Sequence, residues 1–250
     1  MKDLAYQLYS ARHIPLQEAL PMVAAAGFTQ VEGYRATVED PQLLQKLLVD
    51  NGLSIVSLHV GYDELKNNMQ ETLALARELD INHLVCPYLA AEQRPDSKEG
   101  WSKIAAELAD FNAQISSVGR DFAWHNHDFE FVRLADGSLP IRTMLDEAPD
   151  MHWEIDIGWI ARVGQDPMSW MRTYLDRISA VHLKDVAKEG ECEDEDGWAD
   201  VGHGTVDWPA VTQELVNSDC ELFIVEHDNP SDIQRFTQRS FEAVSRWNLA

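Results

Sequence analysis

Eight short apolar runs, each followed by a longer stretch of helical periodicity, recur along this 250-residue chain. The runs are Leu4–Leu8, Gln30–Tyr34, Ser54–Val60, His83–Tyr88, Phe122–His125, His152–Ile157, Ile178–Leu183 and Leu222–Glu226. They are rich in β-branched and aromatic residues, which predicts strands. Between and after them, Pro15–Ala26, Pro41–Asn51, Asp63–Leu79, Gly100–Val118, Ile141–Glu147, Pro167–Leu175, Pro209–Asn217 and Ser231–Trp247 carry apolar residues at i, i+3 and i+4, which predicts helices. Alternation of this kind calls for parallel strands joined by crossover helices, in an open doubly wound sheet or a closed barrel. The count of eight, the lack of a GxGxxG after the first run and the lack of a Pro/Gly/Ser-rich linker select the barrel. The expected fold is therefore a (β/α)8 TIM barrel occupying residues 1–250 as a single domain.

Composition narrows the function classes. Forty-three acids against twenty Lys and Arg leave a net charge of −23. That field repels phosphate backbones and anionic lipid, so no nucleic-acid partner and no membrane-surface partner is expected. Cys86, Cys192 and Cys220 are odd in number and lack CxxC spacing, which argues against a disulfide framework or a zinc ribbon. No apolar run approaches the roughly 18 residues of a membrane span, and the first residues carry no apolar signal segment. These features predict a reduced, cytoplasmic protein. Seven carboxylates crowd the segment Glu189–Asp200, which is expected to be a solvated excursion.

In a barrel, chemistry collects where strands end, because the strand C-termini converge on one mouth. Here those exits are polar. Glu32 ends the second run and His59 the third; His125, His127 and Glu130 follow the fifth; Asp156, His182 with Lys184, and Glu226 mark the sixth, seventh and eighth. Singly, each has an ordinary structural explanation, such as Asp156 capping the next helix. Together, buried acids and imidazoles converging on one mouth need a partner, and a divalent cation supplies it. The ligand set expected from the residues is Glu130, Asp156, His182 and Glu226. Three carboxylates and one imidazole make an oxygen-rich site suited to Mn²⁺, with Mg²⁺, Co²⁺ and Zn²⁺ as alternatives. Strand alternation puts Glu154 and Asp156 on one face, and His182 and Lys184 on one face with Asp185 on the other.

Several of these segments also match a known pattern. Trp124-His125-Asn126-His127-Asp128-Phe129-Glu130-Phe131 resembles YHNHDFEF, and Asp156-Ile157-Gly158-Trp159 with Gly164-Gln165-Asp166-Pro167 resembles D-x-G-W followed by G-x-D-P. Arg177–Asp185 resembles R-I-x-x-x-H-L-K-D, and Val201–Asp207 resembles V-G-E-G-x-x-D with His203 in place of the Glu. These are motifs of the xylose isomerase-like TIM-barrel superfamily of sugar and sugar-phosphate isomerases and epimerases, which includes inosose dehydratase and endonuclease IV. The resemblance implies that Asp156, His182 and Glu226 hold a cation. It leaves the fifth-strand ligand open among Glu130, His127 and His125, because His125 stands where the superfamily's epimerases have Glu. It also makes a homodimer an assembly to look for.

The resemblance implies proton transfer next to a carbonyl, through an enediolate, in a keto sugar or cyclitol. Glu226, His127 and Glu130 are then the acid/base residues, and Glu32, His59, His125, Lys184, Trp124 and Trp159 the substrate contacts. Tyr6, Tyr34 and Trp198 are further aromatic residues placed for stacking. Arg12, Arg35 and Arg162 lie near strand exits as anchors for an anionic group, but no Gly-rich phosphate cradle accompanies them, which favours an unphosphorylated sugar. The leading expectation is a metal-dependent isomerase or epimerase. The alternatives are an inosose-dehydratase-like lyase and, from another class, a non-catalytic sugar-binding barrel.

Overall fold

The computed structural model describes residues 4–216, 218, 220–247 and 249. Its strands, in chain order, are β1 (Leu4–Gln7), β2 (Gln30–Tyr34), β3 (Ser54–His59), β4 (His83–Cys86), β5 (Asp121–His125), β6 (His152–Asp156), β7 (Ile178–Leu183), β8 (Asp185–Val186), β9 (Trp198–Ala199) and β10 (Leu222–Val225). The helices are α1 (Leu16–Ala26), α2 (Pro41–Asn51), α3 (Tyr62–Glu78), α4 (Lys98–Ser116), α5 (Pro140–Glu147), α6 (Ile157–Arg162), α7 (Pro167–Thr173), α8 (Trp208–Leu215) and α9 (Ile233–Val244). All eight expected runs form strands and close into a parallel barrel in the order β1-β2-β3-β4-β5-β6-β7-β10, with β10 returning to β1. This is the (β/α)8 TIM barrel that the alternation predicts.

Local chemistry explains the punctuation. Asp40, Asp166 and Asp207 cap α2, α7 and α8 by accepting first-turn backbone N–H groups, and each of these helices has Pro in its first turn, where no N–H is needed. Gly52 closes α2 in the left-handed region (φ 66°), open to glycine without strain. Several strands stop a residue or two before the apolar pattern does. Ile157, for example, belongs to α6, a six-residue helix that the periodicity does not reveal. The expected helix ending at Asn217 is described only to Leu215, and residue 217 lies outside the described residues.

Alternation divides the barrel's side chains. Large apolar residues such as Phe122, Trp124 and Trp153 pack in the main core with the surrounding helices. Inside the barrel, a small separate cluster of Ala5, Ala180 and Ile224 is apolar. One step along those strands toward their C-termini stand Gln7, His182 and Glu226, so the interior turns polar toward the mouth. Register shifts fall between Val31 and Glu32 and between Trp153 and Glu154, next to two fully buried carboxylates of the interior. Such irregularities re-aim a side chain.

The acidic segment departs from expectation. Strand β9 near its end pairs antiparallel with β8, which precedes it, and Glu195 and Asp200 are buried, not solvated. Arg235 of α9 holds Glu195 at 2.6 Å and Asp200 at 3.1 Å, and Arg239 holds Asp200 at 2.7 Å. Two carboxylates thus anchor the loop to α9 while Asp196 reaches the barrel mouth. Among the described residues, no helix is long and apolar enough to cross a membrane.

Candidate active site

Four side chains from successive strand ends converge at the mouth: His125 (β5), Asp156 (β6), His182 (β7) and Glu226 (after β10). All are buried, and one ligand atom from each lies within 4.8 Å of every other. Asp156 does cap α6, its Oδ1 accepting the Trp159 N–H at 2.7 Å. Its Oδ2 is buried and has no hydrogen-bond partner. His182 turns Nδ1 toward Glu226 Oε2, 2.9 Å away. The strand-five member of this group is His125. Glu130 lies in a 3-10 turn (Phe129–Phe131) outside the cluster, where its carboxylate accepts from the Trp124 indole and the His127 backbone N–H, each at 3.0 Å. Burial outweighs those two bonds and pushes the Glu130 carboxyl up to about 8.

A second layer lies beneath. Glu32 and Glu154 each approach both His59 and His182: His182 Nε2 is 2.7 Å from Glu32 Oε1 and 3.1 Å from Glu154 Oε1, and His59 Nε2 is 3.1 Å and 2.8 Å from the same two atoms. Gln7 Nε2 and Ser57 Oγ donate to the two oxygens of Glu32 at 2.7 and 2.5 Å. Burial alone would raise both acids, but the imidazoles of His59 and His182 hold Glu32 and Glu154 well below the usual carboxylate range. Reciprocally, burial opposes charge on His59, yet Glu32 and Glu154 push it up to about 10. His59, His125, Glu154 and His182 form a second group whose ligand atoms are close enough to surround a cation, sharing two members with the first.

Lys184 is buried at the mouth. Its Nζ lies 2.6 Å from Asp228 Oδ1, 3.3 Å from Glu226 Oε2 and 3.9 Å from Asp156 Oδ2, above the rings of Trp159 and Trp198. Burial would discharge the ammonium, but these three carboxylates keep it protonated. Asp156 is pushed up to about 7 by burial, against the pull of Lys184 and His182. His127 is lowered to about 3 by burial and then by Lys184, and its Nδ1 is buried without a partner. Asn126 fixes this strand exit, its side-chain oxygen accepting from the Trp153 indole at 2.9 Å and the Asp156 N–H at 3.0 Å.

The other expected residues divide into two groups. Glu32 is fully buried beside His182 and is not part of the wall of the mouth cavity, whereas His59 lines that cavity. Trp124 and Tyr6 face the outer core: the Trp124 indole is spent on Glu130, and the Tyr6 hydroxyl meets Thr237. Trp159 stays beside the mouth, packed on His127 and Trp198, with an unpartnered Nε1. Sequence reasoning missed Glu154, Asp228 and Asp196 as site residues. For Glu154 the signal was its placement two residues before Asp156, on the same face. The cavity over this constellation has a volume of about 540 Å³ and includes His59, His125, His127, Glu226 and Asp228 in its wall.

Fold and site together define a (β/α)8 barrel whose C-terminal mouth gathers four side chains able to hold a metal ion. The chain belongs to the xylose isomerase-like TIM barrel family, whose model matches residues 20–246. It is 24% identical over 190 residues to an inosose dehydratase of Klebsiella pneumoniae strain 342, covering 68% of this chain and 64% of that protein. The chain therefore spans just under two thirds of that relative's length. A sugar phosphate isomerase/epimerase from Parabacteroides distasonis superposes with a TM-score of 0.82 at 18% identity, over 100% of this chain and 99% of that one. The IolI protein, crystallised with a zinc atom, superposes with a TM-score of 0.76 at 15% identity, over 98% and 96% of the two chains.

Proposed function

We propose that this protein is a divalent-metal-dependent lyase that removes water from a keto-cyclitol or keto sugar. The observation that carries the reading is the convergence of His125, Asp156, His182 and Glu226 on one buried point, with Asp156 Oδ2 lacking any hydrogen-bond partner. Two imidazoles and two carboxylates carry a formal charge of −2, which a dication neutralises. The earlier set with Glu130 would leave an excess negative charge. The nitrogen-rich quartet suits Zn²⁺, Co²⁺ or Mn²⁺ better than Mg²⁺, and IolI, with the same fold, binds zinc. The dehydratase reading, in preference to isomerisation, rests on the similarity to inosose dehydratases.

A cation held by the quartet would supply Lewis-acid polarisation of a substrate carbonyl. The chain's own groups account for the protons. His127 lines the cavity and is neutral at physiological pH, so its imidazole takes the proton from the carbon next to the carbonyl. Lys184 is fixed and charged, so its Nζ stabilises the oxygen on which negative charge develops. The proton taken up by His127 then leaves with the β-hydroxyl as water, while Asp228, 2.6 Å from Lys184 Nζ, holds the ammonium in place. Trp159, Trp198 and the β8–β9 hairpin keep bulk water from this side of the mouth.

A second reading, an isomerase or epimerase that returns the proton without losing water, is favoured by the full-length likeness to the Parabacteroides protein. One experiment separates the readings. Metal content is measured on purified protein, and proton NMR in D₂O then follows scyllo-inosose and a panel of keto sugars. Water loss supports the lyase, exchange without water loss supports the isomerase, and neither with metal restored leaves a sugar-binding barrel. The substrate is a small molecule, and the net charge of −23 disfavours nucleic acid.

A further inference from the structure

The chain has eight tryptophans, six tyrosines and eight phenylalanines. Among the described residues only two of these rings are exposed, Tyr9 at 40% and Tyr88 at 45%, and both line the cavity over the metal-ligand quartet. Tyr9 follows β1 and Tyr88 follows β4, three strands apart in a ring of eight, so the two rings stand on well-separated sides of the mouth.

Neither ring is loose. Tyr9 meets Tyr34 edge-on with centroids 5.3 Å apart, and the Arg12 guanidinium lies 4.3 Å from its centroid. Arg12 is itself fixed by donating to the backbone oxygens of Tyr9 and Asp228. Tyr88 is braced by His127 at 5.2 Å and Phe129 at 5.6 Å, with Arg94 over its ring at 4.8 Å. Rigid, exposed aromatic faces lose little conformational entropy when a ligand covers them. Their negative faces attract the C–H face of a saturated ring and the edge of an aromatic one.

The depth of the cavity adds a second argument. The floor, where His125 and Glu226 lie, takes the reacting carbonyl ring, while the two tyrosines sit at the exposed edge. A volume of about 540 Å³ is more than one six-membered sugar ring fills. Asp196 and Arg35 share that outer wall and present hydrogen-bonding groups suited to hydroxyls.

We propose that the outer half of this cavity is a subsite for a second ring, so that the substrate is a keto sugar carrying a glycosidic substituent and not a free cyclitol or monosaccharide. The proposal rests on the sugar reading of the site and names its substrate class. It is tested by calorimetric titration of the metal-loaded protein with unreactive probes: glucose and myo-inositol as single rings, cellobiose and phenyl β-glucoside as double rings. The expected result is double-ring binding at least tenfold tighter than single-ring binding. Tyr9→Ala and Tyr88→Ala should each weaken the double-ring probes about threefold to tenfold and leave the single-ring probes unchanged. Equal affinity for the two classes, or loss in the variants that is the same for both, overturns the second-ring subsite while the sugar site stands. No binding by any probe overturns the sugar reading and this proposal with it. Sedimentation of the same variants is the further check: a wild-type dimer that becomes monomeric in Tyr9→Ala or Tyr88→Ala makes the rings an interface and overturns the subsite.

Discussion

His182 is held among three carboxylates, and the closest is Glu32, whose Oε1 lies 2.7 Å from His182 Nε2. The opposite nitrogen, Nδ1, faces Glu226 and the quartet. For Nδ1 to offer its lone pair to a cation, the ring proton must sit on Nε2, and Glu32 is the acceptor that keeps it there. Glu32 is in turn oriented by Gln7 and Ser57.

Glu32→Gln is therefore expected to act on metal binding without touching the metal. An amide that presents N–H to Nε2 favours the wrong tautomer, and loss of the charge leaves the histidine pair poorly compensated. Metal affinity, measured by chelator competition, should fall about 10- to 100-fold. Urea unfolding of the metal-free protein should show a loss of about 3 kcal/mol, as for breaking a buried ion pair.

Asp156→Asn separates capping from ligation. The asparagine side chain still caps α6 through its oxygen, so the thermal midpoint of the metal-free protein should stay within a few degrees of wild type. Its second atom becomes an NH₂ group pointing into the quartet. Metal content after dialysis should drop below one per chain, and activity on the substrate found by the NMR screen should fall by orders of magnitude. Unchanged metal content would remove Asp156 from the ligand set.

How much of this could be read in advance follows from periodicity. Asp156, His182 and Glu226 sit on or just beyond barrel strands whose alternation sets direction, so the sequence suffices to aim them inward. The strand-five ligand is different. His125, His127 and Glu130 straddle the point where β5 ends and a 3-10 turn begins, and no period governs a turn. That turn brings Glu130 back under Trp124, which leaves His125, the last strand residue, to join the quartet. The acidic segment reads as solvated from the sequence because what buries Glu195 and Asp200 is Arg235 and Arg239, dozens of residues away in α9.

Asp185 shows the same non-local logic on the outer face of the barrel. Its carboxylate accepts from the backbone N–H groups of Val186, Gly202, Gly204 and Val206 and from the Trp208 indole, at 2.8 to 3.2 Å. Asp185→Asn turns one acceptor into a donor facing these N–H groups. The expected cost is about 3 kcal/mol by urea unfolding, with greater protease sensitivity of the 201–207 loop. A cost under about 0.5 kcal/mol would show that the loop does not depend on this carboxylate.

Gly158 permits close approach of α6 to the strand-seven exit. A Cβ there would lie 2.6 Å from the Lys184 carbonyl oxygen and 2.9 Å from its Cβ. Gly158→Ala should destabilise by about 1–3 kcal/mol and displace Lys184 from Asp228. Because Lys184 is assigned to stabilising developing charge, kcat should fall more than KM rises. A rise in KM with kcat unchanged would place Lys184 in uniform substrate binding only.

At the opposite end of the barrel, His83 gives the protein a pH dependence of its own. It is buried near the start of β4, with Nε2 3.1 Å from Ser179 Oγ, and burial lowers its pKa below the ordinary value of 6.5 despite the more distant Glu154 and Glu32. A histidine with a depressed folded-state pKa binds fewer protons folded than unfolded, so stability is complete above 6.5 and declines as pH falls below it. The slope from one such group approaches about 1.4 kcal/mol per pH unit at most. His83→Gln keeps a hydrogen-bonding partner for Ser179 but cannot titrate. Urea midpoints of wild type and His83→Gln, taken from pH 7.5 to pH 5, should converge as the pH falls, because only the wild type loses this contribution. Parallel curves would mean that His83 takes up its proton equally well in the folded and unfolded states.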